Sequence, residues 1–141
     1  MEYKTNSPIE TFEIGKKIAS SCIGGEIFAL VGDLGAGKTT FVQGFAQYFG
    51  IERIVSPTFI LYRKYNIENI KNIKYLNHLD FYRFEENISH EISTLGITDE
   101  WQNKDCVTLI EWADKASDVF PIETKWINFD IDGDSHIITI K

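Results

Sequence analysis

Apolar residues change their spacing along this chain, and the changes mark out its elements. Glu26-Ile27-Phe28-Ala29-Leu30-Val31 is a nearly unbroken apolar run, the pattern of a strand covered on both faces. Phe41, Val42, Phe45 and Phe49 instead recur at helical spacing, so Thr40 to Phe49 is predicted as a helix, with Gly50 as its stop. Ahead of both, Ser7-Pro8-Ile9-Glu10 opens another helix. Ser7 is the cap, Pro8 takes the first helical position, where a missing N–H is harmless, and Glu10 closes a capping box. Phe12, Ile14, Ile18 and Ala19 give that helix its buried side, and Gly24-Gly25 ends the approach to the first strand.

Further on, Ser56-Pro57-Thr58 is extended or turned, because a residue before proline avoids the helical region. Phe59 to Tyr65 and Ile73 to Leu79 read as two strands of a hairpin, with the polar stretch Asn66 to Asn72 as their connection. Glu91 to Trp101 suggests short helical pieces interrupted near Gly96. Cys106 to Ile110 is a compact buried strand ending at Glu111-Trp112, and a helix follows from Ala113 to Val119 before Pro121. Lys125 to Ile140 reads as two strands joined at Asp132-Gly133, a strong hairpin signal. The sum is a single α/β domain over residues 1–141: three layers, with a mixed sheet and antiparallel C-terminal strands.

Between the first predicted strand and its helix lies Gly32-Asp33-Leu34-Gly35-Ala36-Gly37-Lys38-Thr39, a G-x-x-x-x-G-K-T phosphate-binding loop, which makes the expected three-layer α/β domain P-loop NTPase-like. Its glycines let the backbone curl until N–H groups point at phosphate oxygens. Lys38 brings a mobile positive charge to the β- and γ-phosphates, the Thr39 hydroxyl can ligate Mg²⁺, and the helix adds unpaired donors and the positive end of its dipole. Such a site also needs a carboxylate for the metal and a group to orient the attacking water. Asp80 and Glu111 each close a predicted strand, where ligands gather in open α/β sheets. Thr58 occupies the region that carries a phosphate-sensing hydroxyl in many P-loop proteins.

Composition narrows the class. The length is that of one domain, and a hydrophobic fraction of 43% with ten phenylalanines supports a real core. A net charge of −7 argues against wrapping a nucleic-acid backbone unaided, so any role on RNA would run through a partner. Cys22 and Cys106 stand far apart without a C-x-x-C motif, as reduced buried thiols do. The N-terminus has no apolar h-region and no apolar run approaches a membrane span, so a cytoplasmic protein is expected.

Gly-Asp-Leu-Gly-Ala-Gly-Lys-Thr-Thr at 32–40, Ser-Pro-Thr-Phe at 56–59, His78-Leu79-Asp80-Phe81-Tyr82-Arg83, Leu95-Gly96-Ile97 and Ile110-Glu111-Trp112-Ala113 occur in this order. The series resembles the TsaE (YjeE) family of small bacterial ATPases from about Ser7 to Trp112, while the tail after Pro121 carries no comparable signature. The resemblance implies ATP binding and Mg²⁺-dependent hydrolysis in the formation of N6-threonylcarbamoyladenosine at position 37 of tRNA. It implies work with TsaB and TsaD, the latter being the transferase, and contact with tRNA only indirectly. Carried over by position, Gly35, Ala36, Gly37, Lys38, Thr39 and Thr40 wrap the phosphates, and Thr39 and Glu111 hold Mg²⁺. Asp80 polarises or positions the attacking water, with Lys38 as its catalytic companion; Trp112 lies beside the nucleotide, Thr11 contacts the adenine end, and Thr58 is the switch residue. Phe81 stands where an aliphatic residue is common in the family, away from the implied chemistry.

Other signals carry less. Asn103-Lys104-Asp105 fails the spacing of a guanine-specificity motif, and Asp80-Phe81-Tyr82-Arg83 lacks the glycine of a D-x-x-G switch, both favouring adenine. Asp130 to Asp134 lacks the closing glutamate of a calcium loop and reads as a hairpin turn. His78 is either a base or a supporting residue near Asp80; His90 and His136 read as ordinary polar residues, and Trp101 and Trp126 as core or interface aromatics. Of the three arginines, Arg83 is the internal candidate for a transition-state cation, against an ordinary ion pair; without one, turnover should depend on a partner. Two alternatives remain: a small-molecule kinase, for which the chain has little room for a lid, and a nucleotide-gated binding module with little hydrolysis.

Overall fold

The computed structural model describes residues 1–33, 35–54, 62–81, 92, 97–101 and 103–141. Among these residues seven strands form one sheet: β1 Glu2–Thr5, β2 Ile27–Gly32, β3 Tyr62–Ile70, β4 Ile73–Asp80, β5 Cys106–Glu111, β6 Lys125–Asp132 and β7 Ser135–Ile140. Their order is β1-β7-β6-β2-β5-β4-β3. The centre is parallel, with β2 between β6 and β5 and β4 on the far side of β5. The edges are antiparallel, β3 on β4, and β7 on β6 with β1 outside it. The predicted mixed sheet with antiparallel C-terminal strands is what the chain forms.

Side-chain alternation separates two cores. On one face Phe28 and Leu30 of β2 join Leu76 of β4 and Val107 and Leu109 of β5 under two helices, α1 Pro8–Ser20 and α2 Lys38–Tyr48. On the other, Ile27, Ala29, Leu79 and Ile110 pack with Phe81, Trp101 of the short helix Ile97–Trp101, and Ala113 and Ala116 of a 3₁₀ helix, Ala113–Val119. Three layers result. Trp101 is buried and stacks on Phe120 at 5.0 Å between ring centroids, while Trp126 meets Phe120 edge-on at 5.3 Å, as core aromatics. Cys22 and Cys106 are buried free thiols, and burial pushes Cys22 up to about 12.

Several expectations are refined. Ser7 caps α1, its hydroxyl accepting from the Glu10 N–H at 3.2 Å, but the Glu10 carboxylate accepts from Asn6 at 2.7 Å, one residue earlier than a standard box. The fully buried stripe of α1 is Thr11, Gly15 and Ala19; Phe12, Ile14 and Ile18 are only half-buried. Small residues win that stripe because α1 and α2 touch backbone to backbone. A Cβ on Gly15 would overlap the Phe41 carbonyl oxygen, and one on Gly44 the Phe12 carbonyl oxygen. The predicted loop 66–72 is mostly strand: β3 continues to Ile70 because Ile67 has core to bury, and the turn is only Lys71-Asn72, at φ 55 and 67 as a tight hairpin requires. β1 was not anticipated; its short polar sequence shows no strand pattern until β7 supplies the partner.

Gly15→Ala and Gly44→Ala test the helix contact. On propensity alone each should stabilise by about 1 kcal/mol. Overlap with a fixed carbonyl reverses the sign, so a net loss of about 1–3 kcal/mol is expected in urea unfolding; stabilisation by either would contradict the close approach.

Candidate nucleotide site

β2 ends in the loop and α2 begins directly after it, with Gly37 as N-cap at φ 101. Gly35 is also left-handed, at φ 83, and has open space where a side chain would stand. The first closed turn of α2 runs from the Phe41 N–H to the Gly37 carbonyl at 3.0 Å. The N–H groups of Lys38, Thr39 and Thr40 therefore precede the first such bond and are the donors a bound anion would meet. Thr39 is exposed and Thr40 half-exposed, while Ala36 tucks into the core.

Lys38 is folded inward. Its ammonium donates to the Gly32 carbonyl and lies 3.6 Å from the centroid of the Trp112 ring, a close cation–π contact. Burial holds its pKa below the usual 10.5; the charges of Glu111, Asp80, Asp114 and Asp33, in that order, oppose the shift. One cation thus senses both predicted carboxylates. Trp112 itself sits at φ 56 and ψ 38, a left-handed conformation that is a strained outlier for a bulky residue.

Strand register brings the carboxylates together. In the parallel pairing Asp80 of β4 lies opposite Glu111 of β5, and Glu111 lies opposite Leu30 of β2. Alternation sends His78, Asp80 and Glu111 to the face that carries α2. Glu111 is buried and Asp80 half-buried. Among the described residues no group of three or more His, Cys, Asp or Glu side chains could hold a metal by itself.

The opposite wall is formed by Thr11 and His136. A Cβ on Gly37 would stand 3.2 Å from His136 Nδ1 and 3.5 Å from Thr11 Cγ2. The Thr11 hydroxyl pairs with that of Thr5 at 2.7 Å, so its methyl faces the loop. His136, read from sequence as an ordinary polar residue, is placed there by β1 and β7, where it lies opposite Thr5. No local pattern announces it. Thr58, Arg83 and Leu34 lie outside the described residues, as does the segment carrying Leu95-Gly96.

A curled glycine loop between a parallel strand and a helix, with acidic residues ending neighbouring strands, defines a P-loop nucleotide-binding fold. The sequence model of the TsaE family, described as threonylcarbamoyl adenosine biosynthesis protein TsaE, matches residues 5–137, and the chain belongs to that family. The match reaches past Pro121, so the tail belongs to the family pattern as well. The tRNA threonylcarbamoyladenosine biosynthesis protein TsaE of Bacillus subtilis is 40% identical over 124 residues, 87% of this chain and 73% of that protein. The protein of the same name from Haemophilus influenzae is 37% identical over 112 residues, 79% of this chain and 66% of its own. A solved structure titled as Bacillus subtilis YdiB superposes with a TM-score of 0.77 at 34% identity, covering 99% of this chain and 83% of that one.

The lowered pKa of Lys38 gives a pH test. The protonated amine is the form that attracts phosphate, so affinity for a nucleotide phosphate chain should fall as pH rises, beginning below 10.5. Lys38→Arg should hold its affinity across the same range, because guanidinium does not deprotonate there. Equal pH profiles for the two proteins in equilibrium titrations would show that the lysine charge is not the sensitive group.

Proposed function

We propose that this chain binds Mg·ATP at the loop between β2 and α2 and hydrolyses it. We further propose that this ATPase cycle keeps TsaB and TsaD turning over in the formation of threonylcarbamoyladenosine at position 37 of tRNA. The observation that carries the reading is the convergence of the Lys38 ammonium with the Asp80 and Glu111 carboxylates at one end of the parallel strands. Family membership, and the shared name of the relatives, support the pathway.

The residues present fit the nucleotide and the metal. The left-handed backbone at Gly35 and Gly37 and the N–H groups of Lys38, Thr39 and Thr40 would hold the phosphates. Lys38 would leave Trp112 and the Gly32 carbonyl to neutralise the β- and γ-phosphates. Thr39 and Glu111 would hold Mg²⁺, which when bound neutralises charge developing on the phosphoryl oxygens. Asp80 would orient the attacking water through its carboxylate. Trp112 would lie beside the nucleotide, and Thr11, packed against Gly37, towards its adenine end.

A net charge of −7 favours contact with tRNA through partners and not directly. Among the described residues no helix is long and apolar enough to cross a membrane. The two free thiols support a reducing compartment, and we place the protein in the cytoplasm.

Steady-state ATPase assays on the isolated chain and on the chain with TsaB and TsaD test the proposal. Slow hydrolysis alone and a rise on the order of tenfold or more with the partners are expected. Asp80→Ala should lower the rate by about 10²-fold while leaving ATP affinity within about threefold. Fast hydrolysis indifferent to the partners would refute the coupling, and an equal loss of affinity in Asp80→Ala would refute the water-orienting role.

A further inference from the structure

His78 is one of the least exposed polar side chains among the described residues, and its ring bonds a site residue. Its Nε2 lies 2.7 Å from Glu111 Oε2, with the two side chains 1% and 7% exposed. The carboxylate can only accept, so Nε2 carries the proton and donates. Nδ1 is buried with no partner among the described residues. A buried ring with one orphaned nitrogen is a poor way to fill space between Leu76 and Leu109, where an aliphatic side chain would cost less. The histidine therefore needs a reason beyond packing.

Glu111 supplies it. Among the described residues, two positively directed groups act on this carboxylate, the Nε2–H of His78 and the charge of Lys38. Lys38 is a mobile arm whose charge a phosphate would attract. The His78 ring is fixed in the middle of β4, paired on both sides by β3 and β5. We propose that His78 is a positioning residue: it anchors Oε2 of Glu111 so that the carboxylate keeps its orientation when Lys38 moves, leaving Oε1 for Mg²⁺. Outer partners of this kind typically change metal affinity by about 10–100-fold when removed. The proposal rests on the reading that Glu111 serves the metal of bound ATP.

The test separates the two. Binding of a fluorescent ATP analogue is measured in EDTA and across a series of MgCl₂ concentrations, for wild type, Glu111→Gln, His78→Ala and His78→Gln. The Mg²⁺ concentration giving half of the metal-dependent gain should rise about tenfold or more in Glu111→Gln and in His78→Ala, and in His78→Ala the affinity in EDTA should not fall. His78→Gln, which keeps an N–H donor, should recover part of the loss. If Glu111→Gln shifts the Mg²⁺ response and His78→Ala does not, the positioning role is wrong and the metal reading stands. If Glu111→Gln shifts nothing, the metal reading itself fails. An equal loss with and without Mg²⁺ in His78→Ala marks a merely structural role and overturns the proposal.

A measurement on the wild-type chain covers the case in which the variants do not fold. With ¹⁵N-labelled histidine, the His78 ring should appear as the Nε2–H form, and its signal should move when Mg²⁺ joins the nucleotide-bound protein. An Nδ1–H form, or a signal that responds to nucleotide but not to the metal, overturns the proposal.

Discussion

The register of β5 against its two parallel neighbours is the constraint from which the rest of the site follows. Glu111 is level with Leu30 on one side and Asp80 on the other. A slip of one residue would turn Glu111 to the opposite face of the sheet and present Ile110 to the loop. What holds the register is burial. All six residues of β5 are buried, Val107 and Leu109 on the face beneath the helices and Ile110 on the other, so neither face can exchange with the other cheaply. Core packing thereby sets the position of a charge.

The same economy governs the loop. Gly15 and Gly44 let α1 approach α2 until only backbone separates them. That approach carries Thr11, one turn earlier on α1, against Gly37 of the loop. β1, paired to β7, then brings Thr5 to the Thr11 hydroxyl and sets His136 beside the same glycine. The phosphate loop is thus walled by elements from both ends of the chain, and a contact between two helices bears on the geometry of a binding site.

Much of this was legible in the sequence because the signals were local. The apolar run 27–31, the helical spacing of Phe41, Phe45 and Phe49, and the G-x-x-x-x-G-K-T string each reflect forces within a few residues. Asp80 and Glu111 stood out because each closes a predicted strand, and the pairing of β4 with β5 sets them side by side. What escaped was long-range or two-sided. β1 is polar and short and becomes a strand only through β7. Of the side predicted for α1, Ala19 is fully buried but Phe12, Ile14 and Ile18 are not, because a second helix packed against it demands small residues there, and apolar spacing alone does not carry that demand. His136 owes its place to pairing across most of the chain, and the bond from His78 to Glu111 spans two strands. Neither leaves a mark in spacing.

The central claim is that Lys38, Thr39, Asp80 and Glu111 surround one Mg·ATP at the ends of β2, β4 and β5. Substituting Mn²⁺ for Mg²⁺ with a slowly hydrolysed ATP analogue, and recording amide relaxation residue by residue, tests it directly. Broadening should be strongest at Lys38 to Thr40, at Asp80 and Phe81 and at Glu111 and Trp112, and only when the analogue is present. Broadening centred elsewhere, for instance on the acidic hairpin from Asp130 to Asp134, or independent of the nucleotide, would contradict the account.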